Sequence, residues 1–138
     1  MSVVVQRRND AVHFVAETAN GGRVPIDGAP AIGGQGLGAR PMELLLAALG
    51  GCSGIDVVSI LGKQRQTIHD LTVTVDGERT AGEPAVFASI RVHFSLRGPT
   101  DERAVARAVA LSMDKYCSVA RVLEPTATIS YDHTLEPT

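Results

Sequence analysis

Two cysteines are the residues of this chain best suited to chemistry. Cys52 directly follows Gly50 and Gly51, and Cys117 lies 65 positions later. Glycines beside a cysteine remove side-chain bulk where a substrate or another backbone could approach the sulfur. A thiol acts as a nucleophile in its thiolate form, so reactivity requires something cationic near the attacking sulfur. The alternative is that both cysteines are small, unreactive core residues.

The two cysteines differ in the charged residues that lie nearest to them in the sequence. Asp56 lies four residues after Cys52, and its carboxylate would oppose thiolate formation if it faced the sulfur. Cys52 therefore depends on a cation from another segment. Cys117 has Lys115 nearby and Arg121 at i+4, although both are also typical of solvated basic residues on a short helix.

Metal and cofactor sites are not predicted. The glycines at positions 34, 36 and 38 lack the fingerprint of a dinucleotide loop, and no Lys-Ser/Thr follows them. The histidines show no mutual ligand spacing, which argues against a zinc site; they are His13, His69, His93 and His133. We expect neither a bound cofactor nor a metal.

Composition limits the class of protein. The 138 residues carry 13 basic and 15 acidic side chains, a balance that favours neither nucleic acid nor an anionic membrane as partner. The start MSVVVQRRND does not look like a secretory signal, so we expect a cytoplasmic protein. The uninterrupted apolar run over residues 44–55 is shorter than the roughly 20 residues that cross a bilayer. It predicts a buried helix within a single domain, residues 1–138.

Periodicity and turn residues predict the elements before the cysteines. Residues 2–6 and 12–17 are typical of a β-hairpin, and residues 23–26 of an edge strand because Pro25 cannot donate to a ladder. The glycine-rich residues 27–40 predict a loop. A long helix begins at Pro41, with Glu43 favouring its N-terminus, and its apolar residues predict burial on nearly all sides.

The second half predicts two antiparallel strands, two helices and a last strand. The strands cover residues 70–79 and 86–96, and Thr100 is the expected N-cap of the first helix. One face of that helix is expected to carry Val105, Ala108, Val109 and Ser112. A helix over 118–124 and a strand over 126–135 follow. The fold class is α+β, with antiparallel sheets around a long central helix.

Two segments resemble the cysteine motifs of the OsmC/Ohr family. They are PMELLLAALGGCSGIDVVSIL over residues 41–61 and KYCSVARVLE over residues 115–124, and they look most similar to the YhfA-type branch. The resemblance implies two intertwined chains with the active sites at their interface. It also implies a thiol peroxidase in which Cys52 attacks a peroxide, Cys117 resolves the sulfenic acid as a disulfide, and a dithiol reduces that disulfide.

The motifs depart from those of better-studied members at two positions. Those members resemble Pro-Glu-(Glu/Gln) at the helix start, where the glutamate helps to hold an activating arginine; here Met42 follows the proline and the acid is Glu43. Ser118 stands where those members usually place proline. The activating arginine remains open among four candidates, of which the first two are favoured: Arg7, Arg8, Arg23 and Arg40.

The resulting hypothesis is an antioxidant homodimer that reduces organic hydroperoxides or hydrogen peroxide. Its site residues are Cys52, Cys117 and Glu43. A helix that is apolar all round also predicts a partner chain, because one chain of this size cannot cover it. Two alternatives stay open: a ligand-binding or redox-sensing protein of the same fold with negligible turnover, and a structural dimer whose cysteines are core.

Overall fold

Residues 1–136 are described by the computed structural model, and they pack as two compact units that divide at Leu45 and Leu46. The first unit holds a three-stranded sheet and a loop. The second holds most of the long helix, a second three-stranded sheet and the shorter helices. Each unit is described in turn.

The predicted hairpin and edge strand are confirmed. Strands β1 (Val3–Arg7), β2 (Phe14–Thr18) and β3 (Arg23–Ile26) form an antiparallel sheet in the order β1-β2-β3. The turn after β1 is closed by Asn9, whose side-chain oxygen accepts the backbone N–H groups of Ala11 and His13. Such side-chain capping of backbone groups is why asparagine favours turns.

The loop after β3 is irregular, as predicted, but it is organised around a buried acid. The carboxylate of Asp27 accepts N–H groups from Gly28 at 2.8 Å, Gln35 at 2.9 Å and Leu37 at 3.0 Å. Those backbone donors, with Leu37 the strongest, hold the pKa of Asp27 below its usual range. The chain runs so close to itself that a Cβ on Gly34 would lie 1.8 Å from the carbonyl oxygen of Gly28.

Helix α1 spans Pro41–Lys63, beginning where the sequence predicts. Its buried residues are Leu49, Ser53, Val57 and Leu61, which form one stripe, while Ile55 is 72% exposed and Val58 is 50% exposed. The prediction of burial on nearly all sides is therefore wrong for the single chain. Elements of one chain cover one face of this helix, and its opposite face stays apolar and open.

By length and composition alone, α1 could cross a membrane. Central helices of soluble proteins meet the same two conditions, and Ser112, from a later segment of the same unit, donates its hydroxyl to the Asp56 carboxylate and to the carbonyl oxygen of Ser53 on this helix. The observation therefore carries little weight in favour of a membrane span.

The sheet of the second unit is mixed. Strands β4 (Asp70–Arg79) and β5 (Phe87–Arg97) pair antiparallel, as predicted, whereas β6 (Thr128–Glu136) pairs with β5 in parallel. The α+β class holds, but the expectation of purely antiparallel sheets is wrong for this pair. Alternation along a strand determines which side chains face the core, and it carries no information about strand direction.

Helix α2 spans Glu102–Leu111 and packs its predicted face into the core. Its N-cap is Asp101 and not Thr100, because the Asp101 carboxylate accepts the N–H groups of Arg103 at 2.9 Å and Ala104 at 3.3 Å. A π-helical turn, Ser112–Tyr116, then widens the helix before α3 (Ser118–Leu123) begins. Nothing in the local sequence pattern predicts that turn.

Candidate functional site

The two cysteines meet inside the second unit. The Sγ atoms of Cys52 and Cys117 and a carboxylate oxygen of Asp56 all lie within 4.8 Å of one another. Cys52 is half-buried on α1, whereas Cys117 is fully buried at the start of α3. One cysteine of the pair is thus partly exposed, and the other is fully buried in the core.

The two glycines before Cys52 act differently. A Cβ on Gly50 would lie 3.1 Å from Val75 Cγ2, so this glycine lets α1 pack closely against β4. A Cβ on Gly51 would meet no atom within 4 Å, and Gly51 is exposed. Gly51, which directly precedes Cys52, therefore has the open space that the sequence predicts beside the cysteine. Gly50 instead allows the close packing of α1.

The π-helical turn determines where Cys117 lies. The backbone N–H of Cys117 donates to the carbonyl oxygen of Ser112 at 2.8 Å, the i to i−5 bond of a π turn. Cys117 then leaves helical geometry and caps α3, its Sγ accepting the N–H of Ala120 at 3.4 Å. Cys117 therefore opens the third helix.

The Cys117 thiol holds its proton firmly. Burial raises its pKa to about 11, because the thiolate would lose its hydration, and only the N–H of Ala120 works in the opposite direction. A hydrogen bond to Cys52 and the negative charges at Cys52 and Asp56 contribute to the same increase in pKa. At neutral pH this sulfur is a thiol, able to donate to the neighbouring Cys52 sulfur.

Asp56 faces both sulfurs and is held there by Ser112. The Ser112 hydroxyl donates to Asp56 Oδ2 at 3.0 Å, with the carbonyl oxygen of Ser53 as a second acceptor at 3.4 Å. The orientation of Asp56 is the one in which the sequence predicts opposition to thiolate formation. Ser112 was not recognised as a site residue, although a polar residue continuing the apolar stripe of α2 was a signal for one.

The cations near Cys117 in sequence are engaged elsewhere. Arg121 Nη2 donates to the carbonyl oxygen of Met113 at 2.5 Å, and its Nε pairs with Glu124 at 3.0 Å. The Lys115 ammonium lies 5.2 Å from the ring centroid of Tyr116. Spacing along the sequence placed these residues near Cys117, but their charged groups serve α3 and the protein surface.

Glu43, the third predicted site residue, lies in the first turn of α1 and outside the cluster of Cys52, Cys117 and Asp56. Its Oε1 accepts the backbone N–H of Arg40 at 2.9 Å, as the third residue of a capping box does. This contact gives Glu43 a structural role at the helix start. A role in holding an activating arginine stays a prediction.

Three of the four candidate activators, including the two favoured ones, have partners within the first unit. Arg7 Nε donates to the carbonyl oxygen of Ala11 at 2.8 Å. Arg8 and Arg23 both pair with Glu17, at 3.2 Å and 3.6 Å. All three pairings are on the surface, where ion pairs contribute little and exchange readily. The identity of the activating arginine stays a prediction.

Comparison with known proteins agrees with this architecture. A family model described as OsmC-like protein matches residues 34–132. Protein YhfA of Escherichia coli is 42% identical over 125 residues, 90% of each chain. A solved structure of a hypothetical protein from Aquifex aeolicus is 33% identical and covers 98% of this chain and 96% of its own, with a TM-score of 0.80. An organic hydroperoxide resistance protein from Elizabethkingia anophelis shares the fold at 14% identity, with 97% of both chains covered and a TM-score of 0.68. The family match and the YhfA identity together place this chain in the OsmC-like protein family.

Proposed function

We propose that the protein reduces hydroperoxides, with Cys52 as the attacking thiolate and Cys117 as the resolving thiol. The observation that carries this proposal is that the sulfur of a partly exposed cysteine lies within 4.8 Å of the sulfur of a buried one. Solved structures of the same fold include organic hydroperoxide resistance proteins, and this supports the same class of reaction here.

In the first step, the Cys52 thiolate attacks one oxygen of the peroxide bond. The O–O bond breaks, the departing oxygen leaves as an alcohol or water after taking up a proton, and Cys52 becomes a sulfenic acid. Cys52 suits this step because it is the partly exposed cysteine of the pair. Cys117 supports it by keeping its proton and donating a hydrogen bond to the developing or resting thiolate.

In the second step, Cys117 attacks the sulfenic sulfur of Cys52. A disulfide forms, and hydroxide leaves as water with the proton that Cys117 loses. A dithiol from outside the protein then reduces the disulfide and restores both thiols. The high pKa of Cys117 makes its thiolate scarce at neutral pH, so we expect resolution to be slower than the first step.

Substrate size and compartment complete the proposal. The apolar sequence of the helix that carries Cys52 favours organic hydroperoxides over hydrogen peroxide. The protein works in the cytoplasm, where a dithiol can keep two unpaired cysteines reduced. As the family resemblance implies, we propose that one of the arginines, held by Glu43, activates Cys52.

We also propose that the working form is a homodimer. The open face of α1 carries large apolar side chains, Ile55 and Val58, at 72% and 50% exposure. A second copy would remove this surface from water, at roughly 25 cal/mol for each Å² buried. Sedimentation of a stable monomer at micromolar concentration would contradict this assembly.

A redox-sensing protein with negligible turnover is the second candidate, and Asp56 favours it. A carboxylate within 4.8 Å of both sulfurs is one of the charges that raise the pKa of Cys117, so the resolving thiolate on which repeated turnover depends stays scarce. Such a protein would be oxidised by peroxide once and would pass through repeated cycles slowly. Multiple-turnover kinetics with a dithiol reductant separate the two candidates.

The test uses two serine variants in parallel. Cys52→Ser should abolish peroxide consumption even with excess dithiol, because the nucleophile is gone. Cys117→Ser should keep a first turnover and then inactivate, since the sulfenic acid of Cys52 is no longer protected from further oxidation to the sulfinic acid. Stopped-flow peroxide consumption and the mass of the intact protein report both outcomes.

A matched control is Ser59→Ala, which removes a polar atom from an exposed position on the same helix and should behave as wild type. If the Cys52 variant retains the first turnover, the two roles are reversed. If both cysteine variants consume peroxide like the control, the reaction does not use these thiols.

A further inference from the structure

The cluster of Cys52, Cys117 and Asp56 has a property that peroxide reduction does not use. Two sulfurs and a carboxylate oxygen within 4.8 Å of one another form a set of three metal-ligand atoms. Thiolate sulfur binds zinc at about 2.3 Å and carboxylate oxygen at about 2.0–2.2 Å. Donors that share one tetrahedral zinc lie roughly 3.5–3.8 Å apart, so a side-chain shift of about 1 Å is enough to close the set around one ion.

The third donor is already oriented by a neighbour. The Ser112 hydroxyl donates to Asp56 Oδ2 at 3.0 Å, which leaves the other carboxylate oxygen free to bind. Metal-ligating carboxylates are commonly held by such hydrogen bonds from outside the ligand set. Ser112 is itself fully buried, and this fixes the direction of its hydroxyl.

Charge gives the cluster its preference for a cation. With both sulfurs ionised, three negative groups would share a space less than 5 Å across. Among the described residues, the guanidinium group of Arg121, four residues after Cys117, is directed away from the cluster and contacts Met113 and Glu124. A divalent ion neutralises the group and displaces the proton from a coordinating thiol outright.

We propose that the reduced protein binds one zinc ion per chain through Cys52 Sγ, Cys117 Sγ and a carboxylate oxygen of Asp56. Soft thiolate donors select zinc over magnesium or calcium. Binding exchanges two thiol protons for the ion and changes no oxidation state. Three protein donors leave a fourth position for water, and the bound ion protects both sulfurs from oxidation. This goes beyond the proposed peroxide chemistry, because it concerns the resting, reduced protein.

The test titrates the reduced full-length protein with Zn²⁺ against a chromophoric chelator, and repeats it with Co²⁺ to read thiolate-to-metal charge transfer. One ion per chain is expected. Cys52→Ser and Cys117→Ser should each lower the affinity by far more than tenfold, and Asp56→Asn, which preserves shape, by at least about tenfold. Ser112→Ala keeps all three donors and should cost about tenfold.

The matched control is Asp114→Asn. This carboxylate lies in the adjoining π turn and binds the Tyr131 hydroxyl, so its loss should leave zinc affinity unchanged. The inference is overturned if Asp56→Asn binds zinc as tightly as Asp114→Asn, if the disulfide form binds as tightly as the reduced form, or if two chains share one ion. Peroxide turnover is not measured in any arm, so failure here does not touch the proposed function.

Discussion

Oxidation of the Cys52–Cys117 pair should make the chain harder to unfold. The two residues are 65 positions apart, and a cross-link closing a loop of that length removes unfolded-state entropy worth about 4 kcal/mol at 25 °C. The sulfurs lie within 4.8 Å, so each has to move by at most about 1.4 Å to reach the bond length of about 2 Å. Two strained side-chain torsions would cost about 1–3 kcal/mol. The net gain is then about 2 kcal/mol.

Urea unfolding of the oxidised and reduced protein measures this gain. The midpoint should rise by about 1 M on oxidation, given a dependence of 1–3 kcal/mol per molar urea. Both forms are compared at one protein concentration, because association would shift the midpoint as well. Intact mass identifies the oxidised sample, since an intrachain disulfide removes two hydrogens. Cys117→Ser under the same oxidation is the control and should show no rise.

An oxidised sample with a confirmed intrachain disulfide that unfolds at lower urea than the reduced protein would contradict this prediction. That result would mean that closing the bond costs more than the loop entropy gained, and hence that the backbone at α1 or at the start of α3 has to move. An oxidised sample held by bonds between chains would refute the pairing itself.

Three further predictions concern the scaffold. Because the folded-state pKa of Asp27 is depressed below 3.8, its contribution is present above that pH and is lost as the pH falls through the folded value; Asp27→Asn should therefore lower the melting temperature at pH 7 and much less at pH 3. Gly77→Ala should destabilise by about 1–3 kcal/mol in urea, because its Cβ would lie 2.5 Å from the buried Phe87 ring, while Thr72→Ala on the same strand should stay within about 0.5 kcal/mol. Ile55→Glu should weaken self-association in sedimentation, and an unchanged mass would contradict the proposed α1 interface.

Periodicity predicted most elements because burial of one face of a strand or helix requires a regular spacing of apolar residues along the sequence. The alternating residues of β4 and β5 and the stripe of α2 are confirmed on that ground. The parallel pairing of β6 and the π turn that begins at Ser112 were not predicted. Strand direction depends on the route that the chain takes between the strands. A π turn forms where one turn of the helix holds one residue more than a regular helix accommodates. The N-cap is Asp101 where the sequence predicted Thr100. The two residues are adjacent and both are good caps, so the sequence pattern did not distinguish them.

The candidate site was predictable only in part. The cysteine pair came from the resemblance of two motifs, because no local rule brings together residues 65 positions apart. The effect of Asp56 followed from its i+4 spacing, but its orientation depends on Ser112, a contact between two helices. The burial of α1 within one chain was overestimated for a related reason. The apolar sequence of this helix predicts that its surface is covered, but it does not indicate which chain covers it.

The parallel pairing of β5 and β6 has a consequence for how the protein folds. Parallel neighbours cannot be joined by a tight turn, so the chain makes a long crossover between Arg97 and Thr128, and Cys117 lies on that crossover. When strands far apart in the sequence pair, the entropy of the closed loop is lost before the strand contacts stabilise the sheet. Such pairing therefore forms late. A chain still being synthesised would carry Cys52 without its partner, and the thiol pair would form only when the crossover segment that carries Cys117 packs against α1.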